Sequence, residues 1–189
     1  MSDLFDAPIN AEIRAAALIA ARLKFGGPIS RANLNTAMTE AFQGTDADGL
    51  WTQRQSFELL ELALVHHLQS APYPLRVLDD AHAACDLLDR LPTQTVRSES
   101  QIEWQQFATP PRLAWLAARA CALIPHELVL EPSAGTGMLA VWAAKAGTRL
   151  ALNELSPLRR DCLSALCPDA RLTGHDAELI DELLDPAIA

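Results

Sequence analysis

Leu128-Val129-Leu130-Glu131-Pro132-Ser133-Ala134-Gly135-Thr136-Gly137-Met138-Leu139-Ala140 is the stretch whose reading decides the fold. A short apolar run ends in an acid, two glycines flank a single threonine in the turn that follows, and an alanine-rich segment begins at once. That order predicts a strand, a tight loop and a helix. Glycine suits such a loop because a chain turning sharply at a strand's carboxyl end visits dihedrals closed to other residues. It also leaves room for a ligand where a Cβ would stand. The stretch has the makings of a small-molecule cradle.

Downstream, the helix is expected to run through Val141, Trp142, Ala143 and Ala144 to Gly147, with a second apolar run from Arg149 to Leu152 directly after it. A strand, a helix and a strand in this order form a right-handed crossover and a parallel sheet, whose ligands sit beyond the carboxyl ends of the strands. Glu154 closes the second strand. A carboxylate there can accept hydrogen bonds from the two neighbouring hydroxyls of a ribose, which points to an adenosine-containing cofactor. The plainer alternative is a surface glutamate. Spacing does not name the cofactor, because Gly135 to Ala140 also satisfies the dinucleotide pattern G-x-G-x-x-G/A, and a nicotinamide-dependent oxidoreductase stays open.

Upstream, Gln105-Gln106-Phe107-Ala108-Thr109-Pro110-Pro111 places an aromatic and a hydroxyl before two prolines that forbid helix at the preceding residue. An apolar helix is expected from Arg112 to Leu123. The polar stretch from Pro92 to Gln101 has no sustained period and reads as a linker. Before it, residues 9 to 91 read as four helices packed as a small bundle. Asn10 is expected to cap the first, which carries Ile13, Ala17, Ala20, Ala21 and Leu23 and stops at Gly26-Gly27. Ser30 caps a second, with Leu34, Ala37, Met38 and Ala41 on one face and Gly44 at its end. Thr52 and Gln55 form a capping box before a helix lined by Phe57, Leu60, Leu64 and Leu68. The fourth carries Leu75, Leu78, His82, Cys85 and Leu88. The domains expected are therefore 1–91, a linker 92–101, and 102–189.

Composition excludes several classes. With half of the residues apolar, 21% charged and no apolar run near the roughly 18 residues of a membrane span, a globular protein without a membrane partner is expected. An N-terminus with two acids and no basic segment argues for the cytoplasm. The net charge is −9, and both halves share it, with 12 acids against 8 bases up to Ser98 and 12 against 7 after it. Such a surface suits nucleic acid poorly. Cys85, Cys121, Cys162 and Cys167 lack metal-ligand spacing and read as buried thiols, so no metal is expected. The loop Gly44 to Gly49 resembles a calcium loop only superficially, since no Glu stands at its twelfth position. His66 and His67 fit a capping or surface role near a helix end.

Glu131-Pro132-Ser133-Ala134-Gly135-Thr136-Gly137 resembles the first cofactor-binding motif of class I S-adenosylmethionine-dependent methyltransferases of the DNA-adenine, amino-methylating type. Gln106-Phe107-Ala108-Thr109-Pro110 resembles that family's upstream motif. Asn153-Glu154 resembles its second motif, and Asp176, after a short strand near Arg171 to Thr173, its third. Residues 92 to 189 as a whole are similar to the amino-terminal part of bacterial strawberry-notch-type proteins, in which such a methyltransferase precedes a helicase. The resemblance implies a partial Rossmann-like methyltransferase fold over residues 102–189, with its first three parallel strands. With the helices read before the linker, the expected fold class is α/β, an N-terminal helical domain followed by that partial fold. The resemblance also implies S-adenosylmethionine as cofactor. Phe107 would press on the adenine or the pocket wall, while Thr109 and Pro110 shape the turn at the methionine end. Glu131 would hold the methionine ammonium, with Pro132, Ser133, Ala134, Gly135, Thr136 and Gly137 forming the loop. Glu154 would hold the ribose, with Asn153 beside it as the other cofactor-binding residue of the second motif, and Asp176 and Ala177 would serve the adenine. For Asp176 a helix N-cap is the alternative.

The family also carries an Asp or Asn followed by two prolines and an aromatic, which holds the target amino group. This chain has no such string: Thr109-Pro110-Pro111-Arg112 lacks the acceptor and Asp185-Pro186 lacks the second proline and the aromatic. The expectation is a domain truncated at its C-terminus, with no catalytic residue of its own and no methyl transfer alone. DNA would be contacted only through parts outside this chain. A non-catalytic sensor or interaction module is a second reading. An open third strand would allow a homodimer through the sheet edge.

Overall fold

A computed structural model of the chain describes residues 11–70, 86, 90–92 and 109–183. These fall into two compact units, 11–70 with 86 and 90–92 in one and 109–183 in the other. Most of the expected fourth helix, most of the Pro92 to Gln101 linker, Cys85 and Phe107 lie outside the described residues.

The first unit contains α1 (Ala11–Lys24), α2 (Arg31–Phe42) and α3 (Gln53–Ser70). Local hydrogen bonds start two of them. The Ser30 hydroxyl accepts from the Asn33 N–H at 3.1 Å and the Asn33 carboxamide accepts from the Ser30 N–H at 3.0 Å. Thr52 and Gln55 do the same for α3, at 3.1 Å and 2.8 Å. Such boxes satisfy two backbone donors that a helix start leaves without partners. α2 buries Leu34, Ala37, Met38 and Ala41, the stripe that its periodicity predicts.

Two details differ from the sequence reading. α1 buries Ala15, Ala16, Ile19 and Leu23, rather than the face running through Ile13 and Ala17. Alanine occurs on every side of this helix, so the pattern has too little contrast to choose a face. At the end of α2 the left-handed residue is Gln43 (φ 56°, ψ 35°), and Gly44 follows it. Gly44 is held for another reason: a Cβ there would collide with the Leu50 side chain. Its carbonyl accepts the Trp51 indole N–H at 2.9 Å. In the same loop Asp48 accepts from the Thr45 N–H at 2.9 Å and from its hydroxyl at 2.7 Å.

α3 carries more than the expected stripe. Leu59, Leu62, Ala63 and Val65 are buried along with Phe57, Leu60, Leu64 and Leu68, so this helix is enclosed over most of its circumference. α1 is its main partner.

The second unit is α/β. Its elements are α4 (Pro111–Ala120), β1 (Leu128–Glu131), α5 (Met138–Lys145), β2 (Arg149–Asn153), α6 (Pro157–Leu166), β3 (Arg171–Thr173), a 3-10 turn (Ala177–Leu179) and α7 (Ile180–Leu183). Pro111 occupies the first position of α4, where its missing N–H is no loss. α4 ends at Ala120, short of the expected Leu123, because Ala122 turns left-handed (φ 49°).

The strands form one parallel sheet in the order β1-β2-β3. Val129 lies opposite Leu150, and Leu152 lies opposite both Glu131 and Leu172. The face bearing Val129, Leu150, Leu152 and Leu172 packs against Ala140, Ala143 and Ala144 of α5, Leu163 of α6 and Cys167. This is the arrangement of one half of a Rossmann-like fold, with both crossover helices on one side. Among the described residues β1 is an edge strand as well as β3. Of these two edge strands, β1 exposes two large apolar side chains, Leu128 and Leu130, at 42% and 41%.

Of the cysteines, Cys167 is half-buried and burial pushes its thiol pKa up. Cys121, expected to be buried, is exposed, because it sits at the cap of α4 outside the core. Among the described residues no helix is long and apolar enough to cross a membrane, and no three His, Cys, Asp or Glu side chains are grouped to hold a metal ion.

Candidate functional site

The carboxyl ends of the three strands bring together Glu131 to Gly137 after β1, Asn153 and Glu154 at the end of β2, and Gly174 to Ala177 after β3. Each segment is placed by its neighbours. The apolar β1 stops at Pro132, the glycine loop turns the chain, and α5 starts at Met138 with Gly137 as its cap. Gly135 and Gly137 both take left-handed dihedrals, φ 58° and 95°. Other residues would cost about 1–2 kcal/mol each in this region.

Glu154 is the central acid. Its side chain is buried, and each carboxylate oxygen accepts one backbone N–H: Oε2 from Gly135 at 2.8 Å and Oε1 from Ser156 at 2.8 Å. One carboxylate therefore joins the glycine loop to the exit of β2. A carboxamide could accept only one of these bonds and would turn its NH2 toward the other N–H. An ionised carboxylate has about four acceptor positions, so two are left for a further donor.

Asn153 is almost wholly enclosed, with 1% of its surface exposed. Its Nδ2 donates to the Pro132 carbonyl at 3.0 Å and to the His175 carbonyl at 2.9 Å. Its Oδ1 accepts from the His175 N–H at 2.8 Å and the Thr173 hydroxyl at 2.8 Å. All four hydrogen-bonding positions of the carboxamide are filled within the protein.

Glu131 is different. It is half-buried, and among the described residues its carboxylate accepts one long bond, from the Ser133 N–H at 3.4 Å. Burial holds its carboxyl above the usual carboxylate range, against the small opposing pull of that N–H. A carboxylate removed from water, with no cation bonded to it among the described residues, is matched by an incoming ammonium.

The loop amides are largely engaged. Ala134 N–H donates to the Asn153 carbonyl at 2.9 Å, Gly135 N–H to Glu154, and Gly137 N–H to the Ala134 carbonyl at 2.9 Å. Pro132 and Ser133 are exposed at the lip, whereas Ala134 and Thr136 are buried. Asp176 caps the 3-10 turn, its Oδ1 accepting the Glu178 N–H at 3.0 Å, and Ala177 beside it is exposed. Thr109 and Pro110 precede α4, and Pro110 is its N-cap. Hydrogen bonds join the β1, β2 and β3 exits; none described here brings Thr109 or Pro110 into that group.

Two contributors were not anticipated from the sequence. Arg160 Nη1 donates to the Glu154 carbonyl at 3.1 Å and lies where a Cβ on Gly174 would stand. His175 meets Asn153 through its backbone alone. Ser156-Pro157 was a readable helix start that would have put Arg160 on the first turn of α6. No side-chain pattern marks a residue that acts by its main chain.

Comparison with models of protein families, with curated proteins and with solved structures finds no match to this chain.

Proposed function

We propose that residues 109–183 belong to the S-adenosylmethionine-holding part of a methyltransferase whose acceptor is an adenine amino group in DNA. The observation that carries the reading is the buried carboxylate of Glu154 at the carboxyl end of β2, hydrogen-bonded to the Gly135 amide. Its two remaining acceptor positions suit the paired hydroxyls of a ribose. Glu131, half-buried and with no cation bonded to it among the described residues, suits the methionine ammonium. The cofactor would supply an electrophilic methyl group. The chain's own residues bind and orient: Glu131 at the ammonium, the Gly135 loop beside the sugar, Glu154 at the hydroxyls, Asp176 and Ala177 at the base.

The N–H inventory of the loop weighs against a dinucleotide. A pyrophosphate needs free amides at the glycine turn. Here those of Ala134, Gly135 and Gly137 are spent internally. The absence of an Asp/Asn-Pro-Pro-aromatic string from the sequence keeps a non-catalytic, cofactor-holding module as the second reading.

Calorimetric titration tests the proposal. S-adenosylmethionine and S-adenosylhomocysteine are expected to bind and NAD is not. Glu154→Gln is expected to weaken binding tenfold or more, since hydrogen bonds to a charged group are worth about 1.5–3 kcal/mol. Binding of NAD with none of S-adenosylmethionine would refute the reading.

A further inference from the structure

Asn153 stands between two loops that come from different strands. On one side Pro132 belongs to the β1 exit, which carries Glu131 and the glycine turn; on the other His175 belongs to the β3 exit, which carries Asp176 and Ala177. The Asn153 carboxamide pairs with both the N–H and the C=O of His175, at 2.8 Å and 2.9 Å, and so adds a side-chain rung to the β2–β3 ladder. Its second amide hydrogen reaches the Pro132 carbonyl at 3.0 Å. The Thr173 hydroxyl fills the last position on Oδ1 at 2.8 Å.

We propose that Asn153 is a positioning residue: its carboxamide fixes the spacing of the Pro132 and His175 loops across the end of β2 and does not itself touch a ligand. The chemistry of the four bonds demands asparagine. Two carbonyls need two donors, and an N–H and a hydroxyl need an acceptor, all from one short side chain. Aspartate has the shape but no donors, and it sets an oxygen against the two carbonyls. The orientation of the amide is fixed by the same argument, because the opposite one would face NH2 toward the His175 N–H. Buried groups of this kind are costly to leave without partners. A site whose walls are so tied is held to the narrow tolerance that ligand recognition needs.

The inference stands on the bonds alone, and rests on the proposed cofactor only in the ligand arm of its test. Amide hydrogen exchange of the full chain is measured for wild type, Asn153→Asp and Thr173→Val. Asn153→Asp is expected to speed exchange at 133–135 and 174–177 tenfold or more while leaving residues 11–70 unchanged. Thr173→Val, which removes one donor from an oxygen that keeps another, is expected to change it less than about threefold. Unchanged exchange in Asn153→Asp overturns the inference. Should that variant not fold, the wild-type side-chain amide decides: both of its protons are expected to exchange slowly, and exchange as fast as in an exposed asparagine overturns it. In the ligand arm, S-adenosylmethionine is expected to leave the Asn153 side-chain 15N resonance within the spread of the other core signals. A large shift with new nuclear Overhauser contacts to the ligand makes Asn153 a contact residue and overturns the inference. Wild type that takes up no S-adenosylmethionine refutes the cofactor reading, and the exchange arms then decide this inference without it.

Discussion

The two units bury their interiors differently. Around α3 the enclosed side chains are leucine, valine, alanine and phenylalanine, and the exceptions are local: Ser56 bonds the Gln53 carbonyl at 2.7 Å, and Glu58 meets Arg54 one turn away at 3.2 Å. At the carboxyl end of β2, Asn153 and Glu154 are buried together, and apart from the Ser156 N–H on Glu154 their side-chain bonds span 19 to 22 residues of sequence. Burying an amide and a carboxylate is costly unless every polar atom is matched. The helical unit matches its buried polar groups within one turn of α3, whereas the sheet unit matches them where loops from three strands meet. The polar interior is what distinguishes a site from a scaffold.

Breaking the first unit should harm stability alone. Leu68 is wholly buried on α3, and Leu68→Ala is expected to destabilise the chain by about 2–5 kcal/mol in denaturant melts. Affinity per folded molecule for S-adenosylmethionine should stay unchanged. Affinity lost in proportion to stability would erase the division between the units.

A smaller effect sharpens the same contrast. Trp51 of the first unit donates its indole N–H to the Gly44 carbonyl at 2.9 Å, whereas the indole N–H of Trp142 on α5 is buried with no partner among the described residues. Phenylalanine at 51 leaves a carbonyl without its donor, and is expected to cost about 1–3 kcal/mol. At 142 it removes an unsatisfied donor, and the gain partly offsets the lost volume. Trp142→Phe should therefore cost less than Trp51→Phe in matched melts; the reverse order would contradict the hydrogen-bond assignment.

The smallest effect concerns sign. Because burial raises the Glu131 pKa, the fold favours its protonated form. That stabilising contribution is present below the unfolded-state pKa and is lost as pH rises through the folded-state value. At neutral pH the charge is a cost to the ligand-free protein. Glu131→Gln is expected to raise its Tm at pH 7–8 and to weaken S-adenosylmethionine binding. In wild type the affinity should fall as pH drops through the raised pKa. A Tm lowered by Glu131→Gln would remove the ligand role argued from that burial.

Much of this contrast was legible in the sequence, and its limits are physical. The β1–loop–α5–β2 run followed from apolar runs and two glycines, and β3 from Arg171 to Thr173 was placed to the residue. Ser30 and Thr52 announced their helices by cap chemistry. The buried face of α1 was hidden because alanine hardly distinguishes inside from outside. Asn153 and Glu154 could be singled out, but not the division of labour between them. Asn153 meets Pro132 and His175, about twenty residues away in either direction, through main-chain atoms that leave no trace in residue types. The exposed Leu128 and Leu130 were equally unreadable, since an apolar strand looks the same at a sheet's edge and at its centre.

The central proposal is that the strand ends of the second unit hold an adenosyl methyl donor and that the helices of the first do not contact it. Amide exchange mapped along the chain with and without S-adenosylmethionine tests it most directly. The account predicts slower exchange confined to 131–137, 153–156 and 174–177, with 11–70 unaltered. Protection within 11–70, or protection of the strand ends by NAD and not by S-adenosylmethionine, would contradict it.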